Sequence, residues 1–104
     1  MPKGYVILTE DIHDPAGMAA YGAASTGPLV DFGGRVLVVD ENVEVLEGEW
    51  HGTRTVIVEY PSVEQARKWY ESDGYQAALP LRLAASNGNV VIAEGFVLGD
   101  AERS

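Results

Sequence analysis

The chain has 104 residues, 46% of them hydrophobic, and carries sixteen acidic against seven basic side chains for a formal charge of −9. That length suits one domain with one core. The acidic balance argues against nucleic acid and anionic membranes as partners, since both are bound through surplus Lys and Arg. The absence of cysteine excludes disulfides, thiolate metal sites and Cys nucleophiles.

At the N-terminus, Tyr5-Val6-Ile7-Leu8 predicts a strand over Gly4 to Glu10. The chain then turns acidic before a signal-length apolar core can form. No run approaches membrane-spanning length either, so the expected location is cytoplasmic. Asp14-Pro15 predicts a helix start, with Asp as N-cap and Pro at the first helical position. Met18, Tyr21, Gly22, Ser25, Leu29 and Phe32 recur at steps of three and four, forming one helical stripe. Gly27-Pro28 interrupts it and predicts a kink or two short helices. Gly33-Gly34 ends it, one of them supplying a left-handed cap.

Arg35 to Val39 reads as the second strand. Asp40-Glu41-Asn42 reads as a turn or bulge, Val43 to Leu46 as resumed extended chain, and Gly48 to Thr53 as a loop. Thr55 to Tyr60 is the third strand, rich in β-branched residues. Pro61 stops it, and Ser62 with Gln65 fits a capping box. The helix that follows shows Val63, Ala66, Trp69 and Tyr70 on one face.

Pro80 then falls within a helical pattern. In a helix interior it costs about 3 kcal/mol and its ring meets the carbonyl of Gln76. The expected solution is a short turn over Gly74 to Ala78 and a new helix opening at Pro80; a kinked continuous helix is the alternative. Leu81 and Leu83 lie about 200° apart around a helix, which puts Arg82 between two apolar surfaces. Asn87-Gly88-Asn89 predicts a turn, and Val90 to Leu98 the last strand. Residues 1–98 thus form a single domain, with a polar tail over 99–104.

The order β-α-β-β-α-β predicts a ferredoxin-like α+β fold, an antiparallel sheet with helices on one face. The strands are apolar on both sides. Val6 and Leu8 oppose Tyr5 and Ile7, Val56 and Val58 oppose Ile57, and Val90 and Ile92 oppose Val91 and Ala93. Helices can cover one face; a second copy of the chain is expected on the other, as a homodimer.

The segments "FGGRVLV" (Phe32 to Val38), "VEVLEGEW" (Val43 to Trp50), "RTVIVEYPS" (Arg54 to Ser62) and "ARKWYESDGYQAALPLR" (Ala66 to Arg82) resemble successive motifs of the domain-of-unknown-function 1330 family. They run in the family's order over roughly the whole folded chain. The resemblance implies a subunit of the dimeric α/β-barrel superfamily, with two sheets facing each other across a dimer axis. Cofactor-independent monooxygenases and muconolactone isomerase belong to that superfamily and use a cavity between sheet and helices. The family itself implies no settled reaction. Its members commonly carry Pro-Glu before the tyrosine of "YQ", where this chain has Asp73-Gly74, and this leaves the start of the third helix open.

Arg35, Arg54 and Arg82 each sit beside apolar residues. A buried arginine needs a carboxylate, a carbonyl or a ligand anion. Glu59 and Glu47 are the evident internal partners. The two readings are an Arg–Glu pair that fixes the fold and a clamp on a carboxylate or enolate-like oxygen. Tyr21, Tyr70 and Tyr75 read as core aromatics or as substrate-orienting phenols. Trp50 reads as a dimer contact or a pocket lid.

Glu47, Glu49 and His51, with His13, imitate a two-His, one-carboxylate metal site. Same-side strand residues lie about 7 Å apart, too far to share an ion, and the expectation is a solvated acidic loop with no metal. Dinucleotide, P-loop and nucleophile-elbow motifs are absent. The expected function is binding of a small oxygenated or acidic metabolite between sheet and helices, without cofactor, by a protein that is a candidate cofactor-free enzyme. Arg35, Arg82 and Tyr70 are the foremost polar contacts, with Tyr21 and Glu59 behind them. The alternative is a non-catalytic assembly module whose arginines are internal salt-bridge partners.

Overall fold

Four strands and three helices follow one another as β1 (Gly4–Ile12), α1 (Pro15–Asp31), β2 (Arg35–Asp40), β3 (Arg54–Tyr60), α2 (Val63–Glu71), α3 (Asp73–Ala85) and β4 (Ser86–Glu94) in the computed structural model, which describes residues 2–97. The sheet is antiparallel in the order β2-β3-β1-β4. This is the ferredoxin-like α+β fold, with one helix more than expected.

Register decides which residues meet. Val6 lies between Val58 and Ile92, Leu8 between Val56 and Val90, and Glu10 between Arg54 and Gly88. Because strand side chains alternate, all of these face the helices. Val6, Val58 and Tyr60 build the core there with Ala66, Trp69 and Tyr75. Tyr5, Ile7, Ile57, Glu59, Val91 and Ala93 face the other way, where none of the described helices covers them, and Val91 is 54% exposed. Among the described residues no helix is long and apolar enough to cross a membrane.

Helix α1 runs unbroken through Gly27-Pro28, so the expected division into two short helices does not occur. Pro28 lies in the last turn, where its missing amide removes one bond to Ala24. Its ring packs at Gly74, where an added Cβ would come within 2.9 Å of Pro28 Cγ. Asp14 caps the start through Gly17 N–H, as expected. Gly33, at φ 77°, caps the end. The amides of Gly33 and Gly34 bond to the carbonyls of Val30 and Leu29 at 3.0 and 2.8 Å, which is the Schellman arrangement.

Helix α3 is likewise continuous, so Pro80 is interior and the alternative reading holds. Ser72 supplies the start that Leu79 could not: its side chain accepts from Tyr75 N–H at 3.2 Å and its carbonyl from Gln76 N–H at 2.9 Å. Asp73 and Gly74 therefore occupy the first turn. Gln76 and Pro80 are both exposed, so water can serve the carbonyl that the proline leaves without an amide. The capping box at α2 forms by half. Ser62 Oγ accepts from Gln65 N–H, but Gln65 Nε2 donates to the Phe32 carbonyl at 3.2 Å and ties α2 to the end of α1.

The turn expected at Asn87-Gly88-Asn89 does not occur. These residues pair with Asp11, Glu10 and Thr9, and β4 starts directly after α3. A Cβ at Gly88 would collide with the Thr9 carbonyl oxygen and approach Glu10 Cβ to 2.9 Å; the glycine is there for close approach. Val43 to Leu46 joins no strand. The strand end at Leu98 and the tail 99–104 lie outside the described residues.

Candidate functional site

Helix α1 packs against α3 and leaves β2 uncovered. Between α1 and the sheet this opens a cavity of about 240 Å3, which reaches the surface beside Val36 and Val39. Val6, Leu8, Val56, Val58 and Leu29 give it an apolar body, and Tyr21, Tyr75 and Arg54 add polar groups to the wall.

Tyr21 arrives on the inward stripe of α1, and Tyr75 on the first turn of α3. Their hydroxyl oxygens lie 2.9 Å apart, with the rings edge to face at 84°. Arg82, two helical turns beyond Tyr75, donates from Nε to its hydroxyl at 3.3 Å. The guanidinium carbon also sits 6.0 Å from the Tyr21 ring centroid, within cation–π range. Arg82 is buried, and among the described residues no carboxylate lies within ion-pairing distance of it. Burial opposes its charge, but the bond to Tyr75 and the neighbouring Tyr21 and Glu10 outweigh that, and its pKa rises. Burial, reinforced by Tyr75, pushes the Tyr21 phenol far above its ordinary value, so it is protonated at neutral pH.

Behind this lies Glu10, with no exposed surface. It accepts from Arg54 Nη1 at 3.1 Å and from Ser86 Oγ at 3.5 Å. Burial raises its carboxyl above the usual range, against the pull of Arg54 and Arg82. Arg54 Nε lies 3.6 Å from Glu41 Oε1 at the surface. The described arginine ion pairs therefore run to Glu10 and Glu41, not to the expected Glu59 and Glu47.

Two of the five expected site residues, Tyr21 and Arg82, come together. Tyr70 packs on the Trp69 and Tyr75 rings but does not line the cavity. Arg35 and Glu59 are cross-strand neighbours on the opposite face of the sheet, where Glu59 accepts from the Tyr5 hydroxyl at 3.0 Å. Trp50 donates to Thr55 Oγ1 and stacks on His51, away from this cavity. No cluster of three metal-ligating side chains occurs among the described residues. Glu10, Arg54 and Tyr75 complete the group. Glu10 continues the two-residue period of Val6 and Leu8, which is the sequence signal that places it inward.

The sequence model of a family described as a domain of unknown function (DUF1330) matches residues 3–96. No curated protein matches the chain in sequence. Among solved structures, a protein of unknown function from Rhodopseudomonas palustris is similar at TM-score 0.74 and 21% identity, covering 92% of this chain and 84% of its own. SnoaB, a cofactor-independent oxygenase from Streptomyces nogalater, is similar at TM-score 0.68 and 12% identity, over 93% and 96%. An ethyl tert-butyl ether d (ethd) family protein from Bacillus halodurans is similar at 0.57 and 16%, over 92% and 100%. At these identities the likeness is one of fold.

Proposed function

The chain belongs to the DUF1330 family, and from that premise we propose that it is a homodimeric protein that binds a small oxygenated or acidic metabolite in the cavity between α1 and the sheet. The observation that carries the reading is Arg82: a buried guanidinium with no carboxylate partner among the described residues, joined through Tyr75 and Tyr21 to the wall of an apolar cavity. A purely structural arginine would be expected to meet a carboxylate, as Arg54 does. The similarity to a cofactor-independent oxygenase supports a catalytic version, in which buried hydrogen-bond donors stabilise negative charge developing on the bound molecule. The uncovered apolar sheet face supports the homodimer.

The test is a thermal-shift screen of small carboxylic acids, phenols and ketones against the wild type and Tyr21→Phe. A ligand at about 100 times its dissociation constant adds roughly 2.7 kcal/mol of stability. The reading expects at least one such compound, with the shift reduced in Tyr21→Phe. A screen without a stabilising compound, or shifts untouched by the substitution, would contradict it.

A further inference from the structure

One hydroxyl proton on the cavity wall has a direction. Arg82 carries only donors, so the Tyr75 oxygen accepts from its Nε–H. Tyr21 and Tyr75 then hold two hydroxyl protons for the single bond between them, and one O–H is left over. If Tyr21 donated, the spare proton would belong to Tyr75, which is 1% exposed, and a buried donor left unmet is unfavourable. If Tyr75 donates, the spare proton belongs to Tyr21, which is only partly buried and lines the cavity. The second order is favoured. It runs from Arg82 to Tyr75 to Tyr21, each bond polarising the next. Charge on this wall is already spent. Arg54 is the one charged side chain among the described lining residues, and two carboxylates meet it, Glu10 at 3.1 Å and Glu41 at 3.6 Å. Arg82 does not line the cavity and reaches it only through the Tyr75 hydroxyl. The hydroxyls of Ser25 and Thr26 donate to the Gly22 carbonyl.

Resting on the binding reading above, which it narrows to uncharged compounds, we infer that the ligand is a compact, mostly apolar ketone whose single carbonyl oxygen accepts from the Tyr21 hydroxyl, that Arg82 is the positioning residue for that bond, and that carboxylates are rejected. The volume agrees. A cavity of about 150 Å3 accommodates benzene, so 240 Å3 suits one ring with a short substituent. A ketone meets the one spare proton and leaves the rest of its surface to Val6, Leu8, Val56 and Val58. A carboxylate brings a full charge to a wall whose only cation is already doubly paired, and burying an uncompensated charge is costly.

Three probes of nearly the same shape test this by amide chemical-shift titration at pH 7: acetophenone, benzoate and the hydrocarbon α-methylstyrene. Acetophenone should bind roughly two- to tenfold more tightly than the hydrocarbon, the effect of one hydrogen bond, and at least about tenfold more tightly than benzoate. Tyr21→Phe should bring acetophenone down to the level of the hydrocarbon and leave the hydrocarbon unchanged. Arg82→Met should remove part of the ketone preference and spare the hydrocarbon, a split that a merely structural arginine would not produce. Where a variant does not fold, as judged by circular dichroism, the order of the three probes on the wild type decides. Benzoate binding as tightly as acetophenone, a hydrocarbon equal to the ketone, or a ketone preference that survives Tyr21→Phe would overturn the inference and leave the binding reading standing. Failure of all three probes to bind, or shifts confined to the open face of the sheet, would overturn both.

Discussion

Arg82 Nε lies 3.3 Å from the Tyr75 hydroxyl, and that bond, not an ion pair, is what the buried guanidinium receives from its own helix. Arg54 shows the contrast: its Nη1 is 3.1 Å from the fully buried Glu10. The two arginines therefore answer differently to removal, one through binding and the other through stability.

Arg82→Met removes a buried charge that no carboxylate among the described residues pairs directly. The neighbouring Glu10 loses part of the support for its charge, and against that a cation no longer has to be buried. Urea denaturation should show a loss well short of the about 3–5 kcal/mol of a broken buried pair, while affinity for a cavity ligand falls several-fold because the Tyr75 hydroxyl on the wall loses the donor that orients it. A large stability loss with intact binding would make Arg82 a structural residue.

Arg54→Met strands Glu10 in the interior. Breaking a buried pair from one side costs about 3–5 kcal/mol. The loss should be smaller at pH 5 than at pH 7, because an unpaired buried carboxylate escapes by taking up a proton. Denaturation midpoints at the two pH values check both the size and the trend.

Glu10 should leave its own mark on the pH profile. Its folded-state pKa is raised above the ordinary 4.5, chiefly by burial. The folded state then holds the proton more tightly than the unfolded one. Its contribution is most favourable below the unfolded value and declines as pH rises through the folded value. The stability difference between wild type and Glu10→Gln should fall with rising pH across that window. A difference that is flat or grows from pH 4 upward would contradict the assignment.

Pro80→Ala should stabilise the protein. An interior proline costs about 3 kcal/mol relative to alanine, and the greater freedom of the unfolded chain returns about 0.4–1 kcal/mol of that. A gain of roughly 2 kcal/mol is expected, read from the urea midpoint. A neutral result would mean that the helix starts at Pro80.

Much of the fold was legible locally. β-Branched runs marked the strands, and Asp14-Pro15, Ser62 and Gly33 marked helix ends that the structure caps with those same residues. Pro28 and Pro80 misled because both prolines sit where the lost amide bond can be borne, one in a final turn and one on an exposed face. Asn87-Gly88-Asn89 misled because pairing with β1 outweighs turn preference. Tyr21 and Arg82 could be chosen by residue type. Their convergence with Tyr75, Arg54 and Glu10 depends on strand register and on how α1 leans on α3, and both are long-range relationships.

The homodimer can be tested by sizing. Analytical ultracentrifugation at low micromolar concentration should return twice the chain mass of 11.2 kDa, and a stable monomer would contradict a partner on the open sheet face.

The most direct measurement is a crystal structure of the protein with a compound that stabilises it in the thermal-shift screen. The account predicts the compound between α1 and the sheet, with one oxygen within about 3 Å of the Tyr21 or Tyr75 hydroxyl. A ligand seated on the open face of the sheet, or an empty cavity at saturating ligand, would contradict it.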